Sequence, residues 1–206
     1  AIFNGTPDYI YIPETADETI IPVNGAFTFS AWIKPTYRGA SKAICGERSN
    51  DTDRLLVYKS ADGTQAYIDF YLSNTNHQST TKTGLVADDW FHILIYRAAS
   101  SSTVLFRIND TSAGSATYST ADWKIGQLGK HGGTTTYFEG SMADVRLYDA
   151  ELTTGQRTLL YEAGTGAASN PATNGGNVYS TYNTNMVAHW KLNEAGLGRA
   201  YDFSGN

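Results

Sequence analysis

Phe27-Thr28-Phe29-Ser30-Ala31-Trp32-Ile33-Lys34-Pro35 alternates strictly, placing Phe27, Phe29, Ala31 and Ile33 on one face and Thr28, Ser30, Trp32 and Lys34 on the other. A period of two marks a half-buried β-strand. The pattern returns at Trp90 to Arg97, where Phe91, Ile93 and Ile95 oppose His92, Leu94 and Tyr96, and at Thr103 to Ile108. It returns again at Ser141 to Tyr148, where Ala143, Val145 and Leu147 oppose Met142, Asp144, Arg146 and Tyr148. Strands with one apolar face each build antiparallel sheet over a core. Shorter strands are expected at Ile2 to Phe3, Tyr9 to Ile12, Ala43 to Cys45, Arg54 to Lys59, Gln65 to Tyr71, Thr80 to Lys82, Gly114 to Tyr118 and Trp123 to Ile125, and a last long one at Phe138 to Tyr148. Such a scaffold leaves function to its loops and outer faces.

The strands recur along the 206 residues without a mid-chain break in composition, which favours one β-sandwich over two small domains. A hydrophobic fraction of 41% with 14 Tyr and 20 Gly suits a sandwich of many short turns. The net charge of −5 comes without any basic run, so a nucleic-acid backbone is excluded as partner. Cys45 is the only cysteine, cannot form an internal disulfide, and reads as a small buried hydrophobe. No apolar stretch approaches the ~20 residues of a membrane helix, so insertion into a membrane is not expected. The first residues carry no basic-then-apolar leader, and a chain opening on Ala1 without Met is expected to be a processed or excised piece.

Turn chemistry separates the strands. Ala61-Asp62-Gly63 is a tight-turn sequence, and Asn109-Asp110 supplies two residues tolerant of positive φ between Thr103 to Ile108 and Gly114 to Tyr118. Leu152, Gln156, Leu159, Leu160 and Glu162 switch to helical spacing within Asp149 to Ala163, with Thr153 or Thr154 as N-cap. One short helix therefore follows the last long strand. Gly164 to Asn185 is nearly free of apolar residues and has the composition of a linker or long loop.

Several stretches in this order resemble the laminin-G-like, concanavalin A-like jelly-roll family: Ile2-Phe3-Asn4-Gly5-Thr6-Pro7-Asp8-Tyr9-Ile10, Phe27 to Pro35, Trp90-Phe91-His92, and Phe138-Glu139-Gly140-Ser141-Met142-Ala143-Asp144-Val145-Arg146-Leu147-Tyr148 with its trailing helix. The resemblance implies an all-β, two-sheet antiparallel sandwich with a concave face and a loop rim over residues 1 to 163. Met186 to Asn206, with Val187-Ala188-His189-Trp190-Lys191-Leu192-Asn193-Glu194, resembles the stretch with which such modules open, yet here it closes the chain. Either the module is circularly rearranged or the chain ends inside a following copy. Val187, His189 and Lys191 alternate with Ala188, Trp190 and Leu192, so 187–192 is expected to form a strand. Left unpaired it would be an aggregation hazard, and docking within its own chain is favoured over donation to a neighbouring copy.

The resemblance implies a binding or structural module on a virion or cell surface, for glycan recognition, adhesion or capsid, tail or fibre architecture, with other copies of the module as partners. The alternative is a carbohydrate-binding module of a secreted polysaccharide-degrading enzyme. Catalysis by the chain itself is not expected. A retaining glycosidase needs two carboxyl groups ~5 Å apart on one face, whereas Asp69 has no acidic neighbour two positions away and Asp144 has Met142 and Arg146. No serine elbow, phosphate loop or His-x-x-x-His pair is present.

A structural calcium ion is a further implication of the resemblance. The acid that often holds it corresponds to Ala143 here, and Asp144, one residue on, is expected to face the other way. Loop oxygens of Asn4, Asp8, Asp202 and Gly205 are the remaining candidate ligands. For glycan binding, aromatic faces and hydroxyl-binding groups are required. Trp32, Tyr96, Arg146 and Tyr148 fall on non-core strand faces, while Tyr37, Asn74, Asn76, His77, His131 and Tyr137 are expected on or beside loops.

Overall fold

The computed structural model describes residues 1–12, 19–48, 51–118, 121–132, 136–165 and 185–192. One sheet, here sheet A, runs in the order β1 (Ile2–Asn4), β14 (Glu139–Tyr148), β4 (Phe27–Pro35), β9 (Phe91–Arg97), β10 (Thr103–Ile108) and β11 (Thr111–Thr117), and β15 (Met186–Trp190) also pairs with β14. Sheet B runs β2 (Ile10–Tyr11), β13 (Gln127–Leu128), β5 (Ala40–Gly46), β6 (Arg54–Lys59), β7 (Ala66–Leu72) and β8 (Thr75–Gln78). A small pair, β3 (Thr19–Ile21) with β12 (Trp123–Lys124), closes one side. All pairings are antiparallel, giving the expected two-sheet jelly-roll sandwich.

The alternating residues do what their pattern dictates. Phe27, Phe29, Ala31, Ile33, Phe91, Ile93 and Ile95 from sheet A meet Leu55, Val57, Ile68 and Phe70 from sheet B in one core. Trp123 sits at its centre, with ring centroids 5.1 Å from Phe27 and 4.9 Å from Phe70. Asn109 and Asp110 take φ of 49° and 53°, both positive as a two-residue I′-type hairpin needs. Between β6 and β7, Asp62 Oδ1 accepts from Ser60 Oγ at 2.6 Å and from Thr64 N at 3.0 Å, fixing the tight turn that ends at Gly63. Thr80 to Lys82 is reduced to a single bridge between Ala66 and Lys82, and β3, β8 and β13 form where no strand was expected.

Strand β14 departs from its simple alternation. Ala143 pairs with Trp32 and Arg146 with Ser30, so β14 carries one extra residue there, and Asp144 takes φ 52°. This is a β-bulge, which shifts the side-chain phase by one. Downstream, Val145 and Leu147 face the core as expected; upstream, Met142 takes the core position and Ala143 lies against Trp32 on the other face. The bulge also divides the outer edge of β14: Ser141, Gly140 and Glu139 pair with β1, while Val145 to Tyr148 pair with β15. Ala188, Trp190 and Leu192 complete the core, so the closing segment docks within its own chain. The N-terminal ammonium donates to Met142 O at 2.8 Å and to Leu192 O where the two half-edges meet.

Helix α1 (Thr154–Thr165) starts on a capping box: Thr153 N donates to Gln156 Oε1 at 2.8 Å and Gln156 N donates to Thr153 Oγ1 at 3.4 Å. Its inward residues include Arg157, Leu160 and Gly164, while Leu159 points outward. The stretch expected as linker begins inside this helix, and 166–184 lie outside the described residues. Among the described residues no helix is long and apolar enough to cross a membrane.

Candidate functional site

Helix α1 lies on the outer face of sheet A and seals it. Tyr161 stacks on Trp32 at 5.6 Å and 13°, the Arg157 guanidinium lies 3.9 Å over the Tyr96 ring, and Leu152 and Leu160 pack with Leu94, Tyr148 and Met186. A Cβ on Gly164 would run into the Trp32 ring, so the helix seats there because that residue is glycine. Beneath it lies a buried polar group. Asp144 Oδ1 accepts from Arg146 Nε at 2.8 Å and His189 Nε2 at 2.9 Å, and Ser30 Oγ meets His92 Nε2 at 2.7 Å. Burial drives the His92 pKa down to about 4.

Most of the expected sugar-binding residues are therefore not available to a ligand. Trp32 is 4% exposed, and Tyr96, Arg146 and Tyr148 are buried with it under the helix. Tyr37 belongs to the core, where its hydroxyl donates to Val57 O at 2.7 Å and burial pushes its pKa up. His77 lies on a strand, buried between Phe70 and Tyr118, with Nδ1 on Thr117 O. His131 is buried against Gly46 and bonded to Asp51. Only Asn74, Asn76 and Tyr137 remain at a surface.

Among the described residues no helix covers the outer face of sheet B. Residues directly opposite in an antiparallel ladder share a face, and the register puts Ser41, Tyr58 and Tyr67 in one row. Leu56, Asp69 and Gln78 form the next, and Arg54, Tyr71 and Asn76 the third. Tyr58 and Tyr67 stack at 4.6 Å and 12°. The Arg54 guanidinium covers Tyr71 at 3.8 Å and donates to Asn74 Oδ1 at 3.1 Å. Asp69 lies beneath this surface, 5% exposed, and holds the side chains over it: it accepts from Gln78 Nε2 at 2.7 Å, Asn76 Nδ2 at 3.3 Å and Ser41 Oγ at 3.4 Å. Burial, and then the charge of Asp69, raise the Tyr67 pKa, so its hydroxyl stays a neutral donor. Half-exposed rings flanked by fixed amides and hydroxyls can meet both the apolar face and the hydroxyls of a polar ring.

Tyr58, Tyr67, Tyr71 and Gln78 were absent from the residues expected at the site. The signal was present in Tyr67-Ile68-Asp69-Phe70-Tyr71, whose alternation sets both tyrosines beside Asp69 on one face.

At the far edge, Asp8 Oδ2 accepts from Asn4 N at 2.8 Å and Asn4 Nδ2 at 3.0 Å. The two residues are thus bonded to each other in a turn, while Asp202 and Gly205 lie outside the described residues. No cluster of three or more His, Cys, Asp or Glu suited to a metal occurs among the described residues.

These features define an antiparallel jelly roll with one face closed by a helix and one aromatic, polar face open. A family profile described as the Concanavalin A-like lectin/glucanases superfamily, of laminin-G type, matches residues 4–156, and the chain belongs to that family. No curated protein matches the sequence.

Among solved structures, a candidate carbohydrate-binding protein from Bacteroides ovatus is similar with a TM-score of 0.65 and 14% identity, covering 98% of this chain and 55% of that one. The present chain thus spans little more than half of that protein's length. A heptameric SAP-like pentraxin from Limulus polyphemus is similar at TM-score 0.54 and 15% identity, over 74% of this chain and 81% of its own. Domains LG4-5 of the mouse laminin alpha1 chain follow at 0.50 and 12%, over 72% and 41%. Similarity at such identities concerns the fold alone.

Proposed function

We propose that the chain is a non-catalytic glycan-binding module that takes its ligand on the open face of sheet B. The observation that carries this reading is the half-exposed, stacked Tyr58–Tyr67 pair beside the exposed amides of Asn76 and Gln78, which the buried Asp69 carboxylate fixes in place. Membership of a lectin-containing superfamily and the similarity to a candidate carbohydrate-binding protein support it. The face carries one carboxylate where hydrolysis needs two, since the cross-strand neighbours of Asp69 are Leu56 and Gln78.

The proposed setting is outside the cell, on a cell or virion surface, with residues 1–163 and the closing strand forming one unit within a larger assembly. The alternative, an accessory module of a secreted polysaccharide-degrading enzyme, fits the same fold and face equally well, and a catalytic domain elsewhere in the parent chain would establish it.

Binding measured over a panel of neutral and acidic oligosaccharides tests the reading. Tyr67→Ala is expected to weaken the best binder about 10- to 30-fold, as loss of an anchoring aromatic does. Tyr67 is only half-buried, so the fold should survive the change. Unchanged affinity in Tyr67→Ala, or a panel with no binder, would overturn the proposal.

A further inference from the structure

We propose that the corner formed by Tyr9, Tyr11, Tyr137 and Lys130 is a subsite for the anionic group of an acidic sugar, a carboxylate or a sulfate. This rests on the reading of sheet B as a glycan-binding face and names the class of glycan. Lys130 Nζ lies 4.9 Å from the Tyr9 ring centroid and 5.4 Å from that of Tyr137, and these two rings are 6.4 Å apart. Tyr11 meets Tyr9 edge-on at 5.1 Å and is 52% exposed, and the Arg48 guanidinium, which donates to Ile12 O, lies 5.0 Å from its ring centroid as a second cation at the corner. Two aromatic faces hold the ammonium in place without neutralising it. Lys130 forms no ion pair among the described residues, while the nearby carboxylates are engaged elsewhere: Asp8 by Asn4, and Asp51 by His131 and Arg54.

A positioned cation with free donors, flanked by an exposed ring, matches a sugar that offers an apolar face on one side and an anion on the other.

The corner and the tyrosine rows belong to one surface. Tyr11 pairs with Gln127, Gln127 with Gly46, Gly46 with Arg54 and Arg54 with Tyr71, so the ladder carries a single face across the sheet. Three strand spacings separate β2 from β6, roughly 14 Å. His131 covers Gly46 between the corner and the Tyr71 row, so a ligand that touches both must be an oligosaccharide long enough to pass over it.

The test uses the full chain and a panel in which each uronate-, sialate- or sulfate-bearing oligosaccharide is paired with its neutral counterpart. The expected result is an acidic member bound about tenfold more tightly than its neutral partner. That preference should shrink as NaCl rises from about 50 mM to about 500 mM, and Lys130→Gln should erase it without moving Tm. The carboxylate and sulfate arms identify which anion is read. An acidic preference that survives Lys130→Gln, or a neutral glycan as the tightest binder, overturns the subsite while leaving the sheet B reading intact. A panel with no binder overturns both.

Discussion

Asp144→Ala is expected to lower the free energy of unfolding by about 3–5 kcal/mol, measured by urea denaturation near neutral pH. Asp144 is the carboxylate that compensates Arg146, a guanidinium 1% exposed beneath α1, and it also accepts the hydrogen bond of His189. Removing it leaves a buried cation uncompensated at the point where β14 bulges and β1 and β15 meet. The bulge, the docking of the closing strand and the sealed face therefore share one residue. A loss below about 1 kcal/mol, the value of an exposed pair, would contradict this role.

Acid probes the same group. Burial pushes the Asp144 pKa up, but the His189 bond and the Arg146 charge outweigh it and hold the carboxyl below its ordinary value. Its contribution is present above the unfolded carboxylate pKa and is lost as pH falls through the lower folded value. His92 acts earlier. With a folded pKa of about 4 against 6.5 unfolded, it costs stability on the order of 3 kcal/mol as pH drops across that interval, because the unfolded chain binds the proton first. The wild type should lose stability in both stages, and Asp144→Ala should show a smaller second loss, with what remains coming from carboxylates such as Asp62 and Asp88 that are also held below their ordinary range.

Trp32→Ala is the other large effect, an expected loss of about 3–5 kcal/mol with no specific loss of ligand affinity in the protein that remains folded. Trp32 is stacked on Tyr161 with its ring against Gly164, so its removal opens a cavity under the helix. A stable Trp32→Ala variant that had lost glycan binding would mean that the outer face of sheet A, not that of sheet B, meets the ligand. Thermal unfolding and binding on the same preparation distinguish the two.

Much of the fold was legible because period-two alternation is a local property: Phe27 to Pro35 and Trp90 to Arg97 place their side chains as read. The bulge at Asp144 was not legible, since one extra residue leaves no mark on composition and yet inverts the faces of Met142 and Ala143. The site was harder. A non-core face can be solvent or can be roofed by another element, and nothing local to Trp32 or Tyr96 records that Arg157, Tyr161 and Gly164 cover them. The open face depends on the register within the β6–β7 and β7–β8 hairpins, which sets Tyr58 beside Tyr67 and Gln78 beside Asp69 and cannot be read from either strand alone.

Chemical-shift mapping of the full chain with the tightest-binding oligosaccharide tests the central claim most directly. Perturbations are expected at Tyr58, Tyr67, Asp69, Tyr71, Asn76 and Gln78, with Trp32, Tyr96 and helix α1 unchanged. Perturbations concentrated at α1 and the residues beneath it, with sheet B silent, would contradict it.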